Sequence, residues 1–285
     1  VPPDRYAVIG NPVAHSKSPL IHSMFAHAAG QELVYERIEA PLTDFAASVA
    51  AFGDAGGRGL NVTLPFKIDA FNLARSHSER AARAGAVNTL KFESQGLFGD
   101  NTDGAGLVRD LLRVLGDVGL GLYASRILVL GAGGAARGII GPLLAEHPRA
   151  LTITNRDLHK ALELAQRFEG GATTVDSVAL EALTHERFDL VINATSAGLG
   201  GVTLALPERM LRGAQLVYDL AYGDGPPESS TPFLARAVEE GAVRTADGLG
   251  MLVEQAALSF ALWRGITPAT APVLAALRSE DKGRT

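Results

Sequence analysis

Cysteine is absent from the 285 residues, which removes disulfides, thiolate metal sites and a cysteine nucleophile together. A reducing compartment suits such a chain. Long apolar runs are missing as well. The longest runs from Ile127 to Ala136, between Arg126 and Arg137, about half the ~20 residues that a membrane-spanning helix needs. The opening Val1-Pro2-Pro3-Asp4-Arg5 lacks the charged-then-apolar order of a signal peptide, so a soluble, cytoplasmic protein is expected. Positive charge is in deficit: 26 Lys and Arg against 31 Asp and Glu give a net −5. With no basic block, neither nucleic acid nor an anionic membrane is an expected partner. His15, His22 and His27 form no ligand set with carboxylates, so no metal is expected and these side chains read as surface or capping groups.

Hydrophobic residues make up 47% and charged residues 20%, a balance that buries a core and excludes general disorder. The length predicts about two domains at roughly 150 residues each. Glycine is in surplus, 32 of 285, so many tight turns or close backbone approaches are needed.

Strand and helix patterns alternate twice along the chain. In the first series Tyr6–Gly10, Leu33–Ile38 and Gly59–Thr63 read as strands, and Pro19–Ala29, Thr43–Phe52 and Phe66–Ala74 as helices. A strand–Gly–strand pattern over Val87–Phe98 predicts a hairpin, hence a mainly parallel but mixed sheet. Gly104–Leu115 carries a helical apolar stripe. The second series reads as strands at Arg126–Leu130, Ala150–Thr154, Ala172–Thr174, Asp189–Asn193, Gln215–Asp219 and Ala242–Thr245, a doubly wound α/β sheet. Gly250–Trp263 is apolar nearly all round and reads as a buried helix, and Thr267–Arg278 as a last short one.

The strand ILVL runs into GAGGAARG, a G-x-G-x-x-A turn that opens a helix. Gly131 permits the tight turn, Gly133 lets amides approach a pyrophosphate, and Ala136 allows close helix–strand contact. The helix N-terminus adds free N–H groups and a favourable dipole. The next strand ends at Asn155-Arg156, where NAD enzymes usually place an acid. A guanidinium there favours a 2′-phosphate, so NADP is the expected cofactor. Asp157 opposes this if it faces the phosphate and is neutral to it if it starts the following helix. Lys160 adds charge one turn later.

Four polar clusters fall at strand ends in the first half: Ser16-Lys17-Ser18-Pro19, Asn61 to Lys67, Asn88, and Asp100 to Gly104. Strand ends are where open α/β sheets bind ligands. Each cluster also has a structural reading, with Ser18 or Asp103 as a helix cap and Lys67 on a solvated helix start.

Taken in order, GNPVAHSKSP, GLNVTLPFK, AGAVNTL, GDNTDG, GAGGAARG, NATSAG, YDLAY and DGLGMLVEQAA resemble the shikimate dehydrogenase family over nearly the whole chain. The resemblance implies NADP-linked interconversion of 3-dehydroshikimate and shikimate in aromatic amino-acid biosynthesis. It implies a substrate domain formed by residues 1–104 and 248–285, and a Rossmann dinucleotide domain formed by 105–247. Ser16 and Ser18 then match the hydroxyls on the substrate carboxylate, and Asn61, Thr63 and Asn88 match polar contacts to the ring. Lys67 and Asp103 match the catalytic pair, and Tyr222 and Gln255 further substrate contacts. On the cofactor side, Gly131, Ala132, Gly133, Gly134 and Ala135 match the pyrophosphate loop. Asn155, Arg156, Asp157 and Lys160 match the adenine-ribose phosphate contacts. Thr195 and Ser196 match the loop under the cofactor, and Leu220 and Gly248 lie near the nicotinamide. Asp157, Leu199 and Leu220 depart from the family's commoner Thr, Met and Met. The first bears on NADP preference, while the leucines are nearly isosteric.

Oxidising a secondary alcohol sends a hydride to the nicotinamide and a proton to a base. Desolvation favours a neutral Lys67 amine and a nearby Asp103 carboxylate favours the ammonium. The two are therefore expected to form a coupled pair, with Asp103 chiefly orienting Lys67. Whether Lys67 carries the proton or clamps the carbonyl stays open, as does monomer against homodimer. The alternatives are a broader quinate/shikimate dehydrogenase using NAD, a non-catalytic NADP-binding regulator, and a related dehydrogenase of folate or amino-acid metabolism.

Overall fold

The computed structural model describes residues 2–116, 119–195, 206–223, 226 and 228–282. Two compact units emerge, one of residues 1–106 with 252–276 and one of residues 107–251 with 277–285.

In the first unit, β1 (Asp4–Gly10), α1 (Ser18–Ala28), β2 (Leu33–Glu39), α2 (Phe45–Asp54), β3 (Gly57–Val62), α3 (Lys67–Leu73), β4 (Ser76–His77), α4 (Glu79–Ala84), β5 (Thr89–Glu93) and β6 (Gly96–Asp100) follow in order. The sheet runs β2-β1-β3-β5-β6-β4. β1 is parallel to β2 and β3, whereas β5 is antiparallel to β3 and β6, giving the mixed sheet that the hairpin pattern predicts. Tyr6 to Gly10 are all buried, as befits a strand covered on both faces, while β2 is only partly covered. Ala7, Ile9, Leu60, Val62 and Leu90 form the core with Phe45, Phe52 and Phe66.

In the second unit, α5 (Asp103–Gly116, beginning in the first unit) precedes β7 (Arg126–Leu130), α6 (Gly134–Ala145), β8 (Ala150–Thr154), α7 (Leu158–Gln166) and β9 (Thr174–Ser177). Then come β10 (Leu190–Asn193), β11 (Leu216–Asp219), α8 (Pro232–Glu240) and β12 (Thr245–Asp247). The order β12-β11-β10-β7-β8-β9, parallel throughout, is the doubly wound dinucleotide-binding arrangement. Alternation along β7 feeds two cores: Ile127 and Val129 pack with Ile139 and Leu143, Leu128 and Leu130 with Leu211 and Phe233. The chain returns through α9 (Leu249–Arg264) and ends in α10 (Ala271–Lys282).

Some boundaries differ from the sequence expectation for local reasons. Gly241 closes α8 in the left-handed region, and Ala242 and Val243 bond back to Ala237 and Ala214, so the last strand starts at Thr245 rather than Ala242. Pro272 fits only in a first turn, so α10 starts at Ala271 rather than Thr267. β4 and α4, eight residues in all, are too short for periodicity to reveal, although Ser78 caps α4 by accepting from the Ala81 N–H. Residues 277–285 group with the second unit, where Arg278 donates to Asp247; the sequence reading kept them with the first. Among the described residues no helix is long and apolar enough to cross a membrane, and no three His, Asp or Glu side chains are grouped to hold a metal ion.

Gly106 decides how α5 meets α9. A Cβ there would lie 2.7 Å from the Gln255 backbone nitrogen, which cannot yield as a side-chain tip would. Gly106→Ala is therefore expected to destabilise the first unit by about 1–3 kcal/mol. Urea unfolding followed by the fluorescence of the only tryptophan, Trp263, checks this; an unchanged midpoint would show the helices free to separate.

Candidate active site and nucleotide loop

Lys67 opens α3 just after β3, and Asp103 opens α5 just after the hairpin. Their side chains meet, Nζ to Oδ2 2.6 Å, at only 12% and 6% exposure. The reading of Lys67 as a solvated helix start is thereby set aside. Asp103 is not spent as a cap either, because its two carboxylate oxygens accept from Lys67 and Asn88. A desolvated pair needs its other polar atoms satisfied. Asp103 Oδ1 accepts from Asn88 Nδ2 at 2.8 Å.

Asn88 is the hub. Its Nδ2 also reaches Thr102 Oγ1 at 2.8 Å and Gln255 Oε1 at 3.2 Å, and its Oδ1 accepts from the Thr102 N–H and the Thr89 hydroxyl. Thr89 connects onward to Asn61, whose Nδ2 lies 3.3 Å from Thr89 Oγ1 and 2.9 Å from Ser259 Oγ. Asn61 Oδ1 faces the opposite way, accepting from Tyr35 at 2.7 Å and meeting His22 Nε2 at 3.2 Å. Tyr35 accepts from Ser18, and Ser18 accepts from Ser16 at 3.1 Å. α1 has no side-chain cap, so Ser18 is not committed to capping. One hydrogen-bonded chain thus joins Ser16, Ser18, Asn61, Asn88, Gln255, Asp103 and Lys67. Thr63 lies in the same loop but outside this chain, its methyl against Gly10.

In the second unit, Gly131 has φ +111° and its N–H donates to the Thr154 carbonyl. A Cβ there would press within 3.0 Å of the Ala194 carbonyl oxygen. Gly131 and Ala194 follow β7 and β10, neighbours at the point where strand order reverses. Gly133 precedes α6 with no side-chain cap and with open space where a Cβ would stand. The first turn of α6 therefore offers N–H groups to an anion. After β8, Asp157 caps α7 by accepting from the His159 N–H at 3.2 Å. Lys160 lies 3.8 Å from its carboxylate, both side chains being more than half exposed. Arg156 is exposed beside them.

Thr195 binds Asn193 Oδ1 through both N–H and hydroxyl, and Asn193 Nδ2 donates to Asp219 Oδ1 at 3.0 Å. Asp219 also accepts from the Ala221 N–H and the Thr231 hydroxyl. Gly248 lies against Leu220, where a Cβ would stand 2.1 Å from the carbonyl oxygen. The Asn193–Asp219 bond thus ties the segments carrying Thr195 and Leu220 together.

Residues 8–90 match the shikimate dehydrogenase substrate binding domain, 115–222 the shikimate / quinate 5-dehydrogenase family, and 248–278 the shikimate 5'-dehydrogenase C-terminal domain. The chain is 56% identical over 276 residues to shikimate dehydrogenase (NADP(+)) of Nitrosospira multiformis, covering 97% of this chain and 98% of that one. The chain belongs to the shikimate dehydrogenase family. Shikimate 5-dehydrogenase of Thermus thermophilus, solved with NADP(H) and shikimate, has a TM-score of 0.81 at 35% identity over 97% of this chain and 99% of that one. The Listeria monocytogenes enzyme, solved with shikimate and NAD, has a TM-score of 0.80 at 27% identity over 96% of each chain.

Of the residues singled out from the sequence, Tyr222 falls in the second unit, half-buried after β11. Ser196 and Leu199 lie outside the described residues. Sequence reasoning missed Tyr35 and Ser259, gave Thr89 and Thr102 no role although both stand in its motifs, and misplaced His22. That imidazole is fully buried and stacked on Tyr35 at 4.3 Å, not at the surface. Burial pushes its pKa down to about 3, partly offset by the bond to Asn61. Its place beside Ile21 and a turn before Phe25, on the buried face of α1, is the signal that pointed inward.

Burial pushes the Asp219 carboxyl up to about 6 from 3.8, against the lowering effect of its three donors. Between these values the folded state holds a proton that the unfolded chain has released, so this group's stabilisation falls as pH rises. Wild type is expected to lose up to ~3 kcal/mol relative to Asp219→Asn between pH about 4 and 7. Urea midpoints across that range read this directly; parallel profiles would show that Asp219 does not titrate there.

Proposed function

We propose that this chain catalyses the reversible NADP-dependent reduction of 3-dehydroshikimate to shikimate, in the cytoplasm. The observation that carries the reading is the buried Lys67–Asp103 pair, 2.6 Å apart, at the end of a chain of amide and hydroxyl groups suited to a polyhydroxylated carboxylate. Ser16 and Ser18 would receive the carboxylate, each offering a hydroxyl that can turn from its neighbour to the ligand. Asn61, Thr63, Asn88 and Gln255 would bind ring oxygens.

The residues of the second unit fit NADP. Gly131 to Ala135 and the uncapped start of α6 would hold the pyrophosphate, and Arg156 with Lys160 the 2′-phosphate. Thr195, Leu220 and Gly248 would lie toward the nicotinamide. When bound, NADPH supplies the hydride. Lys67, as an ammonium oriented by Asp103, gives a proton to the carbonyl oxygen; in the reverse direction it takes the hydroxyl proton. Because Asn88 already binds Asp103 Oδ1, the carboxylate is held in one orientation while Lys67 works.

Asp157 was the support for an NAD-using quinate/shikimate enzyme. Its carboxylate caps α7, which removes that support without itself adding to the NADP reading. A non-catalytic regulator would have no need of a desolvated Lys67–Asp103 pair.

The test is NADP⁺ reduction with shikimate by wild type and Lys67→Ala. Wild type is expected to turn over, and the variant to lose at least about a hundredfold in kcat with little change in KM for shikimate. A large rise in KM at unchanged kcat would make Lys67 a binding residue.

A further inference from the structure

Tyr35 stands in β2, opposite Tyr6 of β1, outside every motif that carries the family likeness. Its hydroxyl lies between two groups assigned above to the substrate, accepting from Ser18 and donating to Asn61 Oδ1 at 2.7 Å. Its ring is stacked on His22, 4.3 Å between centroids and 8° between planes. His22 in turn meets the same Asn61 oxygen at 3.2 Å. An amide oxygen only accepts, so His22 carries its proton on Nε2, and its buried Nδ1 has no partner.

With that tautomer the contacts of Asn61 are matched at both ends. Its oxygen faces two donors, and its NH₂ faces Ser259 and Thr89. A flipped amide would set N–H groups against the Tyr35 and His22 donors. The donors from Ser16 through Ser18 and Tyr35 to Asn61 all point one way, an arrangement in which each bond strengthens the next. Burial keeps Tyr35 protonated and His22 neutral, so neither changes role near neutral pH.

We infer that Tyr35 is a positioning residue for substrate binding, fixing the Asn61 amide and giving the Ser18 hydroxyl an acceptor until it turns to the ligand, with His22 as the plate that holds its ring. The inference rests on the reading that Ser18 and Asn61 contact shikimate. It separates binding from chemistry, because Lys67 and Asp103 meet at the other end of the chain and keep their own bonds to each other and to Asn88.

Tyr35→Phe keeps the ring and its stacking and removes only the hydroxyl. It is expected to raise KM for shikimate about tenfold, the scale of one hydrogen bond to a binding group, with kcat within about twofold and KM for NADP⁺ unchanged. Shikimate should also shift the variant's melting temperature less than that of wild type at equal concentration. A purely structural tyrosine would lower the melting temperature without ligand and leave this split absent. Unchanged KM for shikimate, or a fall in kcat with KM unchanged, overturns the inference while the functional reading stands. Failure of wild type to reduce NADP⁺ with shikimate overturns both.

Discussion

A buried ion pair holds only if every polar atom around it finds a partner, and the first unit is organised by that constraint. Lys67 and Asp103 are both nearly out of water. Removing such charges from solvent costs several kcal/mol per ion unless good geometry and further hydrogen bonds offset it. Asn88 supplies the needed donor to Asp103, and satisfying Asn88 recruits Thr89, Thr102 and Gln255. Each of these brings its own demands, which spread through Asn61 and Ser259 to Tyr35, His22 and the two serines. The reach of Gln255 depends in turn on Gly106, the residue that lets α5 and α9 approach. The polar interior is one connected body, and of the groups proposed to bind substrate, Ser16, Ser18, Asn61, Asn88 and Gln255 are members of it while Thr63 is not.

The second unit solves a different problem with backbone. Its parallel strands end together, and at that edge Gly131 takes a left-handed turn against the Ala194 carbonyl, leaving the start of α6 open to an anion. Asp157, which looked hostile to a phosphate, spends its carboxylate on the first turn of α7. Arg156 and Lys160, the cations proposed to face a 2′-phosphate, are exposed, so their attraction for it is screened by salt.

The sequence was most legible where chemistry depends on backbone turns and strand ends. β7 and β8 fall where the ILVL and ALTIT patterns place them, because parallel strands covered on both faces read as apolar runs. Lys67, Asn88, Asp103 and Gln255 stand in family motifs, and the structure brings them together. Tyr35 and Ser259 were not legible, since an isolated polar group in an apolar strand or helix gives no hint of its partner. His22 was misread because a histidine has no fixed polarity: stacked and neutral, it behaves as core. β4, α4 and the start of α10 were missed or shifted by local effects, a short span in one case and Pro272 in the other.

The claim that these polar groups act as one body through Asn88 is tested most directly by a double-mutant cycle between Thr89→Val and Thr102→Val. Both hydroxyls are fully buried and both bind the Asn88 amide, Thr89 at Oδ1 and Thr102 at Nδ2 and Oδ1. The readout is kcat/KM for shikimate in folded protein. The account predicts that each change lowers it and that the two are coupled by at least about 0.5 kcal/mol, as expected for groups sharing a partner. Additive effects within about 0.3 kcal/mol, or unchanged kcat/KM in either single variant, would contradict it.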